Sequence, residues 1–395
     1  MAIQGMRGTG EFSSDFRPKN YRELFTLLEP NGNAPLNAML AMGSSEPTDD
    51  PEYKNFRDEL PDRVLTVNNG GGYNNSATSI TVDASDDNKF AINGAIIINQ
   101  TTGEVMQATA DTTATTLTVT RQIGGGSLTI ADDAKLFVAG FAAAEGATSP
   151  TAITFDATVT SNFTQIFRTA FQVSNTLAST TLRTGDKMNE AMTKALKLHM
   201  SDIERAMFFG KKVESNGSTA SPTRYTGGLT TQLTNAISIT SDYATYGGSG
   251  AGQMTEAGFD SLLISTIFKY GSKQKIAFVG ETVAATLQAI GKDRWKPTAV
   301  EGAYGVNLTQ YSTFAGDLMI HLHPQFRQLD HMKSAMVIVD FPHLVYRYLE
   351  GRDTQMLENR QAVDADSVKS EYLTECGLEL LQDKVHAYVT GWTSK

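Results

Sequence analysis

The chain has 395 residues, 40% of them apolar, with a formal net charge of −10 and a single cysteine, Cys376, which excludes an intramolecular disulfide framework. That length leaves room for two or three domains with a substantial core, and the acidic balance argues against a protein built round a basic nucleic-acid surface. No run approaches the ~18 apolar residues of a membrane span and the start, MAIQGMRGTGEF, lacks the apolar stretch of a signal peptide, so the expected compartment is the cytoplasm.

Residues 1–48 read as an arm punctuated by Gly, Pro and Asn, with short helical pieces at Tyr21–Leu28 and Leu36–Met42. Neither piece buries much alone, so both are expected to pack on something else, such as a neighbouring subunit. Residues 49–65 and 140–182 read as extended arms. Between them, residues 66–139 form Thr/Val/Ile runs with clean period 2 in TSITVD and TLTVTR, separated by turns at Asn93-Gly94, Thr102-Gly103 and Gly124–Gly126. This pattern predicts a small all-β domain of five or six strands and no helix. An insertion there is tolerated because loop closure costs only ~0.6 kcal/mol per doubling of length. Its acidic residues, among them Asp83, Glu104, Asp111 and Asp132, lack the spacing of a calcium-binding loop and read as solvated turns.

The stretch SNFTQIFRTAFQVSNTLASTTLRTG is rich in Phe, Thr, Val and Ile and free of proline, which reads as extended β structure. It runs into DKMNEAMTKALKLHMSDIERAMFFGKKV, where Met188, Met192, Ala195, His199, Ile203, Ala206 and Met207 recur at helical spacing. Glu190, Lys194, Lys197, Asp202 and Glu204 fall mainly on the remaining, polar surface. Asp186 suits an N-cap, Glu190 and Lys194 an i,i+4 pair, and Lys211 and Lys212 the C-terminal end of the dipole. The predicted helix is about 26 residues, roughly 40 Å long at ~1.5 Å per residue, and can serve as the spine of a flat subunit.

After an apparent exposed loop, ESNGSTASPTRYTGG, a helical stripe (Phe259, Leu262, Leu263, Ile267) runs over Thr255–Tyr270 to a stop at Gly271. KIAFVG predicts a buried strand, Glu281–Ile290 a helix, and DLMIHLHP and SAMVIVDFPHLVYRYLEG strands. The final KSEYLTECGLELLQDKVHAYVTGW predicts two strands, joined near Gln382-Asp383, that return to the sheet beside the spine helix.

Catalytic and metal patterns are not found, so no catalytic, cofactor-binding or metal residue is assigned. No Gly-Lys is followed by Ser or Thr after a strand, and the elbow-like Gly247–Ala251 ends in alanine. His321 and His323 alternate on one strand with His331 and His343 nearby, but without acidic or Cys ligands in a recognisable motif they read as satisfied or exposed histidines. Cys376 reads as an inert buried thiol. Asp340 and Glu350–Asp353 are interleaved with Arg347 and Arg352, which suits ion pairs at a subunit contact rather than an acid/base pair. EGRDTQMLENRQAVDADSVKSEY reads as either a solvated loop or a polar inter-subunit contact.

The phrases SNFTQIFRTAFQVSNT, DKMNEAMTKALKLHMSDIERAMFFGKK, RYTGGL, KQKIAFVGETVAATLQAI and EYLTECGLELLQDKVHAYVTGW, in this order, resemble the major capsid proteins of tailed bacteriophages with the Hong Kong 97-type fold. The resemblance runs from roughly Pro150 to the end. It implies an α+β fold: a long spine helix packed on an antiparallel sheet as peripheral domain (183–229 and 334–395), an axial α+β domain (230–333), and an extended loop (arms 49–65 and 140–182) carrying the inserted all-β domain (66–139). It implies a non-enzymatic subunit that self-assembles as pentamers and hexamers into an icosahedral virion shell, formed in the host cytoplasm and enclosing double-stranded DNA contacted non-specifically. Neither cofactor nor membrane is involved. Because no charge-rich helical segment opens the chain, a separate scaffolding protein is implied, together with a portal. Some members weld subunits through Lys–Asn isopeptide bonds from the extended loop; the arms here offer only Lys54, with Lys89 and Lys135 in the insert, so such crosslinks are not expected. Rival readings are a tail, fibre or surface-array subunit, or an encapsulin-like nanocompartment shell.

Overall fold

The structure is a computed structural model that describes residues 34–40, 43–126, 128–154, 156–180, 186–242, 244–246, 250–290 and 309–393. The helical piece expected at Tyr21–Leu28 and Ser249 of the elbow-like segment lie outside the described residues. The chain divides into two compact units, Phe56–Val159 and the remainder (Met1–Asn55 with Thr160–Lys395).

In the larger unit the spine helix spans Lys187–Phe209, 23 residues. Its start is set by Asp186, whose carboxylate accepts the Met188 N–H at 2.8 Å. Lys187 and Lys194 both reach Glu190 and hold its carboxyl at about 2, well below the usual range. The helix ends at Phe209 with Gly210 as its C-cap, so Lys211 and Lys212 lie just beyond it. It lies on a sheet whose order is Ser45–Thr48, Leu344–Leu349, Ser367–Leu380, Gln165–Ser174, with Gln355–Leu357 also paired to the long strand. The central antiparallel pair runs in unbroken register from Gln165 opposite Cys376 to Ser174 opposite Ser367. Phe171, Ala195 and Tyr372 pack at one end of the helix, while Ile203, Phe208, Cys376 and Leu378 join a larger core at the other.

A second sheet has the order Ala236–Ser238, Ala387–Thr390, Met336–Val339, Gln274–Val279, Asp317–Leu322, Thr309–Ser312. Alternation explains its near-continuous apolar runs. Ile276, Phe278, Val337 and Val339 enter the core shared with the spine helix. Ala277, Val279, Met336 and Ile338 enter a second core with Phe259, Leu262, Val283 and Leu287. The helices over that second core are Glu281–Ile290, as expected, and Glu256–Leu262, whose last turn widens to a π turn over Leu263–Ile267.

Three expectations are corrected here. The two final strands do not both return to the sheet beside the spine: Ser367–Leu380 does, but Ala387–Thr390 pairs with Met336–Val339 in the second sheet. SAMVIVDFPHLVYRYLEG is likewise split between sheets at Phe341–His343, where Pro342 cannot continue a ladder. The supposed loop after the spine helix contains a hairpin, Val213–Ser215 with Thr223–Tyr225, clipped by Arg224 and Glu214 at 2.9 Å.

The smaller unit is a six-stranded antiparallel sheet in the order Val64–Thr66, Lys135–Phe141, Ala95–Asn99, Val105–Ala108, Thr116–Thr120, Ser79–Thr81. A Val67–Val82 bridge, with Asn68 N–H to Thr81 O at 3.0 Å and Asp83 N–H to Thr66 O at 2.8 Å, joins the first strand to the last. The sheet therefore closes into a small barrel with no free edge. Leu65, Ile80, Ile97, Met106, Leu117 and Leu136 are among the side chains that fill it. Gly94 makes one of its turns at φ +92°, where an added Cβ would lie 2.6 Å from the Phe141 ring. The unit departs from a purely β reading by one short 3-10 turn, Asp86–Phe90.

Candidate functional site

The long strand Ser367–Leu380 is buried on both faces, and each face has its own chemistry. Toward the spine helix, Thr374 Oγ1 meets His199 Nε2 at 2.8 Å, and Tyr372, Cys376 and Leu378 pack apolar neighbours. Burial keeps the His199 imidazole below its ordinary pKa and pushes the Cys376 thiol up to about 12, so the thiol is inert.

On the opposite face stand Glu371, Glu375 and Glu379, each at most 5% exposed. Every one has an arginine. Arg168 takes both oxygens of Glu371 at 2.7 and 2.8 Å, Arg352 binds Glu375 at 2.5 Å, and Arg347 binds Glu379. Arg347 also reaches Glu46 at 2.7 Å, on the arm strand that pairs in parallel with Leu344–Leu349. The sequence reading of Arg347 and Arg352 as ion pairs between subunits is thus corrected: both close pairs inside the chain. Between the glutamates Gly377 leaves room for Tyr53, whose hydroxyl would lie 2.5 Å from a Cβ placed there. Burial holds that hydroxyl well above its ordinary pKa.

A second node ties three segments together. Glu204 is fully buried, and its oxygens accept the N–H groups of Leu36 and Asn37, both at 2.8 Å. Those amides open the arm helix Pro35–Leu40, so the carboxylate caps it. His323 Nε2 lies 2.9 Å from Glu204 Oε1, while its Nδ1 accepts the Gln325 N–H at 3.2 Å. Leu36, Met39 and Leu40 are buried in the core of this same unit, so this part of the arm packs on its own spine helix rather than on a neighbour.

The RYTGGL phrase finishes the spine helix. Gly228 N–H binds Gly210 O at 2.8 Å, and the hydroxyls of Thr230 and Thr231 bind Phe208 O and Gly210 O at 2.7 Å each. Asn162, buried on strand Thr158–Phe163, accepts the Gly227 N–H at 2.7 Å and donates to Leu378 O at 2.8 Å. Under the second sheet, the buried Lys275 ammonium donates to the carbonyls of Ile267, Tyr270 and Val385 at 2.6–2.8 Å, and burial lowers its pKa to about 8.

The histidines weighed as metal ligands are not brought together. His323 is committed to Glu204, His321 packs edge-on against Phe278, His331 is exposed and His343 pairs with Asp340 at 3.2 Å. Among the described residues no group of three or more His, Cys, Asp or Glu side chains could hold a metal ion. In the barrel, Glu104 is not a solvated turn residue: it is buried in an ion pair with Arg121. Sequence reasoning overlooked the Glu371, Glu375, Glu379 row, although acids four apart in an otherwise apolar strand share one face and could have been read as such. Glu204 gave no such signal, because its partners lie 168 and 119 residues away.

What these sites do is mechanical. They lock a helix, an arm and two sheets together by giving Glu204, Glu371, Glu375 and Glu379 hydrogen-bonded partners inside the fold. Among the described residues no helix is long and apolar enough to cross a membrane. The chain is 29% identical over 391 residues to the major capsid protein of Pseudomonas phage PaMx41, covering 92% of this chain and 89% of that protein. Similar solved structures include the capsid of a native GTA particle (8% identity, 98% of each chain, TM-score 0.48) and the capsid of Myoviridae phage XM1 (10% identity, 94% of this chain and 96% of that one, TM-score 0.43). Residues 6–393 match the family described as SU10 major capsid protein, and the chain belongs to that family.

Proposed function

We propose that copies of this phage capsid subunit close into an icosahedral shell of pentamers and hexamers around double-stranded DNA, with a Hong Kong 97-type architecture and no enzymatic role. Supporting this reading is the family match across residues 6–393, which includes the arm, the spine helix and the return strands. On this reading the spine helix and its sheet are the peripheral domain. The axial domain is residues 230–333 joined by strands Met336–Val339 and Ala387–Thr390, and the barrel is the domain inserted in the extended loop. Each contact between subunits is weak, and closure multiplies them, so misplaced subunits dissociate while the complete shell persists. A net charge of −10 favours a lining that touches packaged DNA non-specifically and releases it. Assembly in the host cytoplasm on a separate scaffolding protein, with a portal at one vertex, completes the proposal. Its test is cryo-microscopy of the subunit co-expressed with the phage's scaffold: closed shells with five- and six-fold capsomers support it, and open tubes or free monomers under every condition overturn it.

A further inference from the structure

The exterior of the barrel has two faces of opposite chemistry. On one, Ser79 stands opposite Thr118 and Thr81 opposite Thr116, with Thr120 opposite Gln107 on the next strand. On the other, a row of directly opposed residues crosses four strands: Val64 to Phe137, Phe137 to Ile98, Ile98 to Val105, with Ile96 further along its strand. Directly opposed residues share a face. Their strand neighbours Leu65, Leu136, Ile97 and Met106 fill the interior, so the row points outward, and Phe137 is 40% exposed. The interior is complete without this row, and the hydroxyl face shows what the same barrel presents to water.

We infer that the Val64–Phe137–Ile98–Val105 strip is a contact between subunits, occupied by the barrel of a second copy of this chain. The inference rests on the shell reading and names one of its contacts. Charge selects the occupant. The unit Phe56–Val159 holds twelve Asp and Glu against five Lys and Arg, a net −7, which rejects nucleic acid and makes like units repel except across an uncharged strip. Arg121 is buried on Glu104 and Lys89 pairs with Asp86, but the side chains of the two cations at the strip's rim close no ion pair among the described residues: the Arg63 guanidinium lies over the Phe90 ring while its backbone N–H donates to Asp87 at 3.0 Å, and Lys135 donates to Thr66. Among the acids, Asp132 and Asp133 stand exposed on one turn, and Asp86 and Asp87 open the 3-10 turn. A cation-rimmed apolar strip on one copy therefore complements the acidic turns of the next.

The test uses the full chain with Phe137→Glu on the strip and Thr118→Glu on the hydroxyl face. The unassembled F137E subunit is expected to melt within about 2 °C of the parent, because the side chain points outward. Its yield of sedimentable particles is expected to fall about tenfold or more, while T118E assembles as the parent does. Equal yields for F137E and the parent overturn the inference. So does a marked loss of melting temperature in F137E alone, which would mean that the strip is covered by its own chain. Carbodiimide crosslinking of mixed light- and heavy-isotope subunits gives an independent readout: links between Lys135 of one copy and barrel carboxylates of another, lost in F137E, support the contact, and their absence overturns it. If the parent forms no particles, the shell reading falls, and the crosslinks in concentrated soluble subunit still decide the strip.

Discussion

Glu204 Oε1 and His323 Nε2 lie 2.9 Å apart with both side chains wholly enclosed, and the same carboxylate caps the arm helix through Leu36 and Asn37. One side chain of the spine thereby holds the arm and the loop after strand Asp317–Leu322 in a single arrangement. Removing it leaves a buried imidazole N–H and two amide N–H groups without an acceptor. Glu204→Ala is therefore expected to cost about 3–5 kcal/mol, measured by urea unfolding of the unassembled subunit. Proteolysis N-terminal to Pro35 should accelerate in parallel; an unchanged midpoint would show that the node is dispensable.

Ile203 precedes it on the helix and is 1% exposed, whereas Met192 is half-buried. Ile203→Ala should cost about 2–5 kcal/mol and Met192→Ala clearly less, because only the first leaves a sealed cavity. Thermal melts of the two variants side by side check the ranking.

Acid should destabilise the subunit through His386. Burial lowers its pKa to about 4 from the ordinary 6.5, and its Nδ1 accepts the Asp340 N–H at 3.0 Å, which requires the neutral ring. Between these values the unfolded chain binds a proton that the folded chain does not, so stability is full above pH 6.5 and falls as pH drops toward 4. The loss is on the order of 3 kcal/mol. In His386→Gln the pH dependence of unfolding across this window should flatten; an unaltered slope would assign the acid sensitivity elsewhere.

Cys376 should resist thiol reagents in the folded subunit and react fully in denaturant, since the thiolate is scarce at neutral pH and sealed from solvent. Mass spectrometry after iodoacetamide treatment tests this, and rapid native labelling would place the strand at a mobile surface.

The barrel should fold alone, because its sheet closes on itself around its own core. Expressed as 56–159 it should show a cooperative β-type melt, and replacing it with a short Gly/Ser link should leave the larger unit folded. A disordered spectrum for the fragment, with an unfolded deletion variant, would assign these strands to a common core.

What was legible in the sequence was local. The spine stripe from Ala195 to Met207, the Asp186 cap, helix Glu281–Ile290 and the period-2 barrel strands all follow from spacing and capping within a few residues. What was hidden was long-range. Glu204 sits on the helix flank where a charge ordinarily meets water, and only the arm and His323 turn that position into an interior. Met336–Val339 and Leu344–Leu349 form one apolar run in the sequence, yet which sheet each joins depends on partners such as Ala387–Thr390, far along the chain. The Arg–Glu row needed pairing register, which periodicity alone does not supply.

Cryo-microscopy of particles from cells expressing this chain with the phage's scaffold decides whether it is a shell subunit: closed icosahedral shells whose subunit density holds the spine helix Lys187–Phe209 against its antiparallel sheet are expected, and stable monomers at every salt and protein concentration would rule the shell out.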